Sequence, residues 1–146
     1  MLTKPKCGWT NVKINNFEAP ASFITDVPID CLKNMIFALK NKSDFIVSLD
    51  AEGWTYKIIS DSYRTLILIE DEEPETIVLN DITKEYLAKE LYLSIYNYKE
   101  DWYNFPCFVK DKDLPKEERE TEAYNKYKKQ INYLLKSLKE RINELC

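Results

Sequence analysis

The turns between residues 45 and 80 are so short that they leave the flanking segments one way to pair. Four strand-like runs, "DFIVSL", "WTYKIIS", "YRTLILIE" and "ETIVLN", are joined by "DAEG", "DS" and "EDEEP". Parallel strands need a crossover of about a dozen residues or more, whereas antiparallel strands need only a tight turn. The sequence therefore predicts a mainly antiparallel sheet of four to five strands, with a meander around 43–80 and a short strand at 11–17.

Two details of the sheet follow from composition. "YRTLILIE" is apolar on both faces for most of its length, so we expect a central strand that is at least partly covered on both sides. "EAPASF", just after the first strand, is predicted to be a loop because Pro20 restricts the residue before it.

Three helices are predicted, at about 28–41, 82–102 and 115–145. Asp26 or Thr25 can cap the first helix and Asp81 the second, and Pro115 suits the first turn of the last. Together with the sheet they give an α+β fold. We find no internal repeat and no linker, so residues 1–146 are expected to form one domain.

The last helix carries an apolar stripe through residues 124–145. About three heptads are the lower limit for a coiled coil, so we expect this helix to lie on its own sheet. The alternative is a homodimer formed through the stripe. Its members repeat at threes and fours: Tyr124, Tyr127, Ile131, Leu134, Leu138, Ile142 and Leu145.

Composition removes several kinds of chemistry. The chain has no histidine, which excludes Ser-His-Asp and Cys-His catalysis, and only two glycines, which excludes glycine-rich phosphate loops. Carboxylates, tyrosines, lysines and cysteines remain. We expect no enzyme, no catalytic residues and no cofactor, although an enzyme using carboxylates or tyrosine stays a third alternative.

The four cysteines, Cys7, Cys31, Cys107 and Cys146, form no CxxC pair, so no metal site is expected. A domain of this size does not need disulfides, and we expect reduced thiols in a cytoplasmic protein. The first ten residues have no apolar segment of the kind found in secretory signals, and no run approaches the about 20 residues of a membrane span.

Charge is concentrated in the middle of the chain. Residues 61–100 hold ten of the 25 Asp and Glu but only four of the 21 Lys and Arg, and the net charge of the chain is −4. Binding to nucleic acid phosphates requires positive charge, so direct nucleic-acid binding is not expected. An acidic surface favours a basic protein partner.

Asp50 and Glu52 stand one residue apart beside Gly53. They could be catalytic or metal-binding acids at the mouth of a cleft, but a pair on one short turn faces solvent, where nothing separates the two pKa values. Gly53 supplies the positive φ that a tight hairpin favours. We therefore interpret the pair as a hairpin tip, and we expect its two carboxylates to meet Lys and Arg of a basic partner.

The run Glu70–Glu75 holds five carboxylates: Glu70, Asp71, Glu72, Glu73 and Glu75. A solvated turn, an acidic patch that faces a partner, and a metal site are the three interpretations. The metal site is the least favoured because the run has no glycine and no spaced ligands. If the strands pair as hairpins, this turn and that of Asp50 emerge at the same end of the sheet.

Aromatic residues are the other excess, with ten tyrosines. Tyrosines at helical spacing are mostly core residues, but Tyr92, Tyr96, Trp102 and Tyr103 exceed what one helix face can bury. Since Tyr and Trp often anchor protein interfaces, we expect Trp102 and Tyr103 to contact a partner beside the acids.

The order of these segments resembles a family. "FEAPASF", "DVPIDCLKNMIFALKN" and "FIVSLDAEGWTYKIIS", followed by an acidic turn and Tyr-rich helices, are similar in overall style to small bacterial immunity proteins of contact-dependent inhibition and polymorphic toxin systems. The resemblance covers residues 9–105 and implies an acidic cytoplasmic protein that neutralises a toxin by covering part of its surface. The alternative is a non-catalytic regulatory or structural subunit that oligomerises through the last helix.

Overall fold

The computed structural model describes residues 1–106 and 122–145. Its strands are β1 (Trp9–Ile14), β2 (Phe17–Ser22), β3 (Phe45–Asp50), β4 (Thr55–Ser60), β5 (Arg64–Glu70) and β6 (Glu75–Asn80). Its helices are α1 (Val27–Asn41), α2 (Lys84–Tyr96), α3 (Lys99–Tyr103) and α4 (Glu122–Asn143). The α+β prediction is confirmed.

The strands form two antiparallel sheets. β3 to β6 pair in chain order as a meander, as the short turns predict. β1 and β2 form a separate hairpin. The hydroxyl group of Tyr56 in β4 reaches across and donates a hydrogen bond to the carbonyl oxygen of Pro20 in β2 at 3.0 Å. One buried hydroxyl therefore links the two sheets.

One face of the meander holds the core. Phe45, Val47 and Leu49 of β3 and Tyr56 and Ile58 of β4 are buried there. They belong to one apolar cluster that also contains residues of all four helices. Because side chains alternate along a strand, the residues between them lie on the other face of the sheet. We call this other side the open face.

One sequence prediction on strands is wrong, and a second holds only in part. "EAPASF" is not a loop but most of β2, because Pro20 lies in a strand that pairs only with β1 among the described residues and needs no second set of hydrogen bonds. β5 is a central strand, as predicted, but its two faces are covered unequally. Ile67 is fully buried on the inner face, whereas its neighbours Leu66 and Leu68 remain half-buried on the open face.

The helix predictions hold with two changes. α1 agrees with the prediction to within one residue. The predicted helix 82–102 begins later, with the Thr83 hydroxyl rather than Asp81 as the cap, and it breaks after Tyr96. The break lets α3 fold back, so that the indole N–H of Trp102 donates to the carbonyl oxygen of Ser94 at 3.1 Å. The start predicted at residue 115 lies outside the described residues.

The apolar stripe of the last helix packs inside the molecule. Its buried members face α1 and α2. The expectation that this helix packs within its own molecule is therefore confirmed, but the expected position on the sheet is wrong, because the helix lies against the other helices. Four of the seven side chains that would form a coiled coil are therefore already covered. The buried residues of α4 are Tyr127, Ile131, Leu134, Leu135 and Leu138.

A polar contact fixes α4 on α1. The hydroxyl of Tyr127 donates to the carboxylate of Asp26, the residue before α1, at 2.8 Å. Asp26 makes no side-chain cap to its own helix. Burial raises the pKa of the Asp26 carboxyl above its ordinary value, and the hydrogen bond from Tyr127 opposes that rise only in part.

The cysteine prediction is half right. Cys31 is a free thiol buried in α1, and desolvation raises its pKa. Cys7 is disulfide-bonded, so the expectation of reduced thiols is wrong at this position. Near it, the amide of Gly8 donates to the carbonyl oxygen of Phe105 at 2.8 Å.

Tyr127→Phe is expected to lower the free energy of unfolding by about 1–2 kcal/mol, because a partly buried carboxylate loses a hydrogen-bond donor. Urea denaturation measures the change. Tyr133→Phe on the same helix is the matched control, since Tyr133 is 70% exposed, and it should change stability by less than about 0.5 kcal/mol. Equal effects of the two substitutions would contradict the role of the Tyr127–Asp26 contact.

Asp26→Asn tests the raised pKa. The folded state holds the Asp26 proton more tightly than the unfolded state, so its stabilising contribution is present below the unfolded pKa of about 4 and is lost as the pH rises through the folded pKa. Asparagine keeps an acceptor but cannot ionise. Relative to the native chain, the variant should therefore gain stability from about pH 4 to pH 7. Denaturation curves across this range measure the change, with the exposed Asp44→Asn variant as control. The prediction would be refuted if the stabilities of the two variants changed with pH in parallel.

Candidate protein-binding surface

The pairing register brings the two acidic turns together. Asp50 lies opposite Thr55, and Thr55 lies opposite Glu70, so the three residues form one row across the sheet. The turns after β3 and after β5 therefore emerge at the same end, as predicted, and the β4–β5 turn with Asp61 lies at the other. We call the seven carboxylates at this end the acidic end: Asp50, Glu52, Glu70, Asp71, Glu72, Glu73 and Glu75.

The first acidic turn is a hairpin tip. The carboxylate of Asp50 accepts a hydrogen bond from the amide of Glu52 at 2.7 Å, and the amide of Ala51 donates to the carbonyl oxygen of Trp54. Glu52 and Gly53 both have positive φ, 55° and 121°. This geometry uses Asp50 to build the turn and leaves the Glu52 side chain exposed.

The second acidic turn is fully on the surface. Every residue from Glu70 to Thr76 is exposed, and the carboxylate of Asp71 accepts from the amide of Glu72 at 2.7 Å. In residues 1–106 and 122–145 the ion pairs are those of the Met1 amine with Glu90 and of Arg141 with Glu144. No cation of the described chain therefore pairs with the acidic end.

The acidic end does not have the geometry of a metal site. Across the described residues, no three or more Asp, Glu, Cys or His side chains are arranged to hold an ion. At the opposite end, the carboxylate of Asp61 accepts from the amides of Tyr63 and Arg64, and these bonds hold its pKa below the ordinary value. That carboxylate builds a turn.

Trp102 and Tyr103 are not surface anchors. Trp102 is fully buried and Tyr103 is 4% exposed, so neither offers area to a partner. The Tyr103 hydroxyl donates to the side-chain oxygen of Asn132 on α4 at 2.6 Å, and Trp102 packs on Phe105. The short helix α3 turns both rings into the core, where they join α2 to α4.

The surplus tyrosines of α2 do reach the surface. Tyr92 and Tyr96 stack with ring centroids 5.4 Å apart. Lys139 lies over the Tyr92 ring and Lys99 over the Tyr96 ring, at 5.3 Å and 4.8 Å. The rings line a groove between α2 and α4, but their faces are engaged by each other and by the lysines. A nucleic-acid base would have to displace these contacts in order to stack.

The open face of the sheet carries a feature that the sequence analysis missed. Ile46, Ile59, Leu66 and Val78 lie directly opposite one another across the four strands. The clearest signal in the sequence was "YRTLILIE", whose apolar residues on both faces we assigned to a strand covered on both sides. We call these four residues the apolar row.

Comparisons with protein-family models, with curated proteins and with solved structures found no match to the chain. No helix within residues 1–106 or 122–145 combines the length and the apolar character of a membrane span. The candidate surface is therefore defined by its own geometry.

Trp102→Ala is expected to lower the free energy of unfolding by about 3–5 kcal/mol, because it empties a fully buried ring site and removes the bond to Ser94. Thermal and urea denaturation measure the loss. Tyr63→Ala is the control, since that ring is 81% exposed, and it should leave stability almost unchanged. A stable Trp102→Ala protein would show that the ring belongs to the surface.

Proposed function

We propose that this protein binds a basic partner protein through its acidic end and blocks it, as an immunity protein neutralises a toxin domain. The observation that carries the proposal is the set of seven carboxylates at one end of the sheet with no cation of the described chain paired to them. The style resemblance of residues 9–105 to bacterial immunity proteins supports the same class of function.

The charges act first at a distance. Like charges on neighbouring turns repel one another and are held together only because the strand register places them there. A partner rich in Lys and Arg relieves that repulsion when it docks, and its approach is steered by the field of the acidic end. Blockade is then steric and electrostatic, because the docked acidic end covers basic residues that the toxin needs.

The proposed mechanism needs no catalytic group in this chain. Asp50, Asp61 and Asp71 accept backbone hydrogen bonds in their own turns, which accounts for their positions structurally. The proposed partner is protein, not nucleic acid, since the carboxylates would repel phosphates.

Oligomerisation through the last helix has less support. Of the stripe residues, Tyr127, Ile131, Leu134 and Leu138 are buried against the chain's own helices, while Leu145 is 39% exposed. A dimer through this stripe would have to detach α4 from α1 and α2, and the Tyr127–Asp26 contact would be lost.

The location that goes with an immunity function is the cytoplasm, where an incoming toxin acts. The Cys7 disulfide weighs against this location, because disulfides persist mainly in oxidising compartments. Alkylation of the thiols in intact cells, followed by mass spectrometry, distinguishes the two: a cytoplasmic protein has an alkylated Cys7.

The function is tested with the product of the gene directly upstream, which the proposal expects to be a toxin. Co-expression of this protein should restore growth to cells that produce the toxin domain, and the two purified proteins should bind with an affinity that falls as salt is raised. The triple variant Glu70→Lys, Glu72→Lys, Glu73→Lys should weaken binding about a hundredfold at low salt, by loss of steering and of contact pairs.

The matched control reverses three exposed carboxylates elsewhere, Glu18→Lys, Glu100→Lys and Glu122→Lys, and so gives the same change in net charge. It should bind within a few fold of the native chain. Two results would contradict the proposal: equal losses in the two triple variants, or the absence of rescue by the native chain. The lack of any toxin gene beside its own gene would also count against it.

A further inference from the structure

The apolar row crosses the sheet without a break. Ile46 pairs with Ile59, Ile59 with Leu66, and Leu66 with Val78. All four side chains lie on the open face, since the residues before and after them in β3 and β4 are buried on the inner face. The row therefore spans the full width of the four-stranded sheet.

Water reaches much of this row. Ile46 and Val78, at its two ends, are 47% and 46% exposed, and the central Ile59 and Leu66 are half-buried by their neighbours. Leu68 extends the patch by one step toward the acidic end and is half-buried as well. Contiguous exposed apolar patches with polar surroundings are typical of protein interaction sites.

We propose that the apolar row and the acidic end belong to one interface, in which the apolar row supplies the anchoring contacts. This inference rests on the proposed function. The occupant of the row is the same basic partner, through an aliphatic or aromatic patch bordered by Lys and Arg. The row takes the place of Trp102 and Tyr103, which are buried and cannot anchor anything.

The spacing of the two parts suits one partner. Ile46 of the row and Asp50 of the acidic end lie four residues apart on β3, about 13 Å along the strand. On the open face, one set of paired residues lies between the apolar row and Asp50. Its members are Ser48, Lys57, Leu68 and Thr76. A partner that seats apolar side chains on the row thus brings cations bordering that patch against the carboxylates, which gives an apolar centre with a charged rim.

Area argues for this partner over a second copy of the chain. Four strands of about six residues present a face of about 400 Å², at about 4.8 Å between strands and about 3.3 Å per residue. A stable interface covers about 800 Å² on each side. The open face alone is smaller than this, and the two acidic turns that border it add surface that carries negative charge. Only a partner with positive charge can dock on both parts.

The test compares two double variants in binding to the same upstream-encoded toxin domain. Ile46→Thr, Val78→Thr removes apolar groups from the two ends of the row and keeps β-branched residues in the strands. It should weaken binding tenfold or more, about equally at about 50 mM and about 300 mM salt, because apolar contacts are not screened. The loss caused by Glu70→Lys, Glu72→Lys, Glu73→Lys should shrink at the higher salt.

The control, Phe37→Thr, Leu93→Thr, removes two side chains of the helical layer that are 62% and 48% exposed, and it should bind like the native chain. Circular dichroism checks that all the variants are folded. The proposal is overturned if the row variant binds like the native chain, or if the control loses as much affinity. It is also overturned if the free protein is a dimer that Ile46→Thr, Val78→Thr dissociates, which would make the occupant a second copy.

These outcomes separate the two proposals. A row variant with native affinity, beside an acidic triple variant that is impaired, removes the apolar anchor and leaves the proposed function standing. A toxin domain that does not bind the native chain removes both.

Discussion

The register of the four-stranded sheet is the constraint on which the remaining structure depends. Because side chains alternate, pairing Ile46 with Ile59 and Ile59 with Leu66 commits Phe45, Val47, Tyr56 and Ile58 to the opposite face. The helices then have to cover that face. A slip of one residue would exchange the core for the apolar row and would also move the carboxylates of the two turns apart. Core and candidate surface are thus set by a single choice of pairing.

The second determinant of the fold is a contact between two residues that are far apart in the sequence. Tyr127 meets Asp26 across 101 residues of sequence, so α4 closes over α1 late in the chain. Burial raises the pKa of both partners of this contact, the Tyr127 hydroxyl and the Asp26 carboxyl. The packing of α4 on α1 therefore includes this buried polar contact as well as apolar ones.

The parts of the fold that sequence could predict are those governed by local spacing. The meander follows from turns of a few residues, and α1 follows from Pro28 in its first turn and a regular apolar stripe. The break after Tyr96 could not be foreseen, because no glycine or proline marks it and the indole bond to Ser94 is a tertiary contact. β2 was missed for the opposite reason: a proline usually ends a strand, but it is tolerated in a two-stranded hairpin.

The candidate site also has parts that could be predicted from the sequence and parts that could not. The convergence of the acids was predictable from the hairpin order, and Glu52 and Gly53 adopt the turn that their positions suggest. The prediction that Trp102 and Tyr103 lie on the surface was wrong because aromatic side chains with a polar group are common both in cores and in interfaces, so their presence in the sequence does not distinguish the two. The apolar row was visible as residues, but whether a second layer covers a strand depends on where every helix goes.

The acidic turn before β6 also affects how copies of this protein interact with one another. Among the described residues β6 ends the sheet, so one side of its backbone has no strand partner, and the side chain of Val78 in this strand is 46% exposed. Such an edge is a template on which other chains can add as strands. Five carboxylates stand directly at its beginning and repel an approaching edge of the same kind. The charges that would attract a basic partner thereby also protect the unbound protein from aggregation.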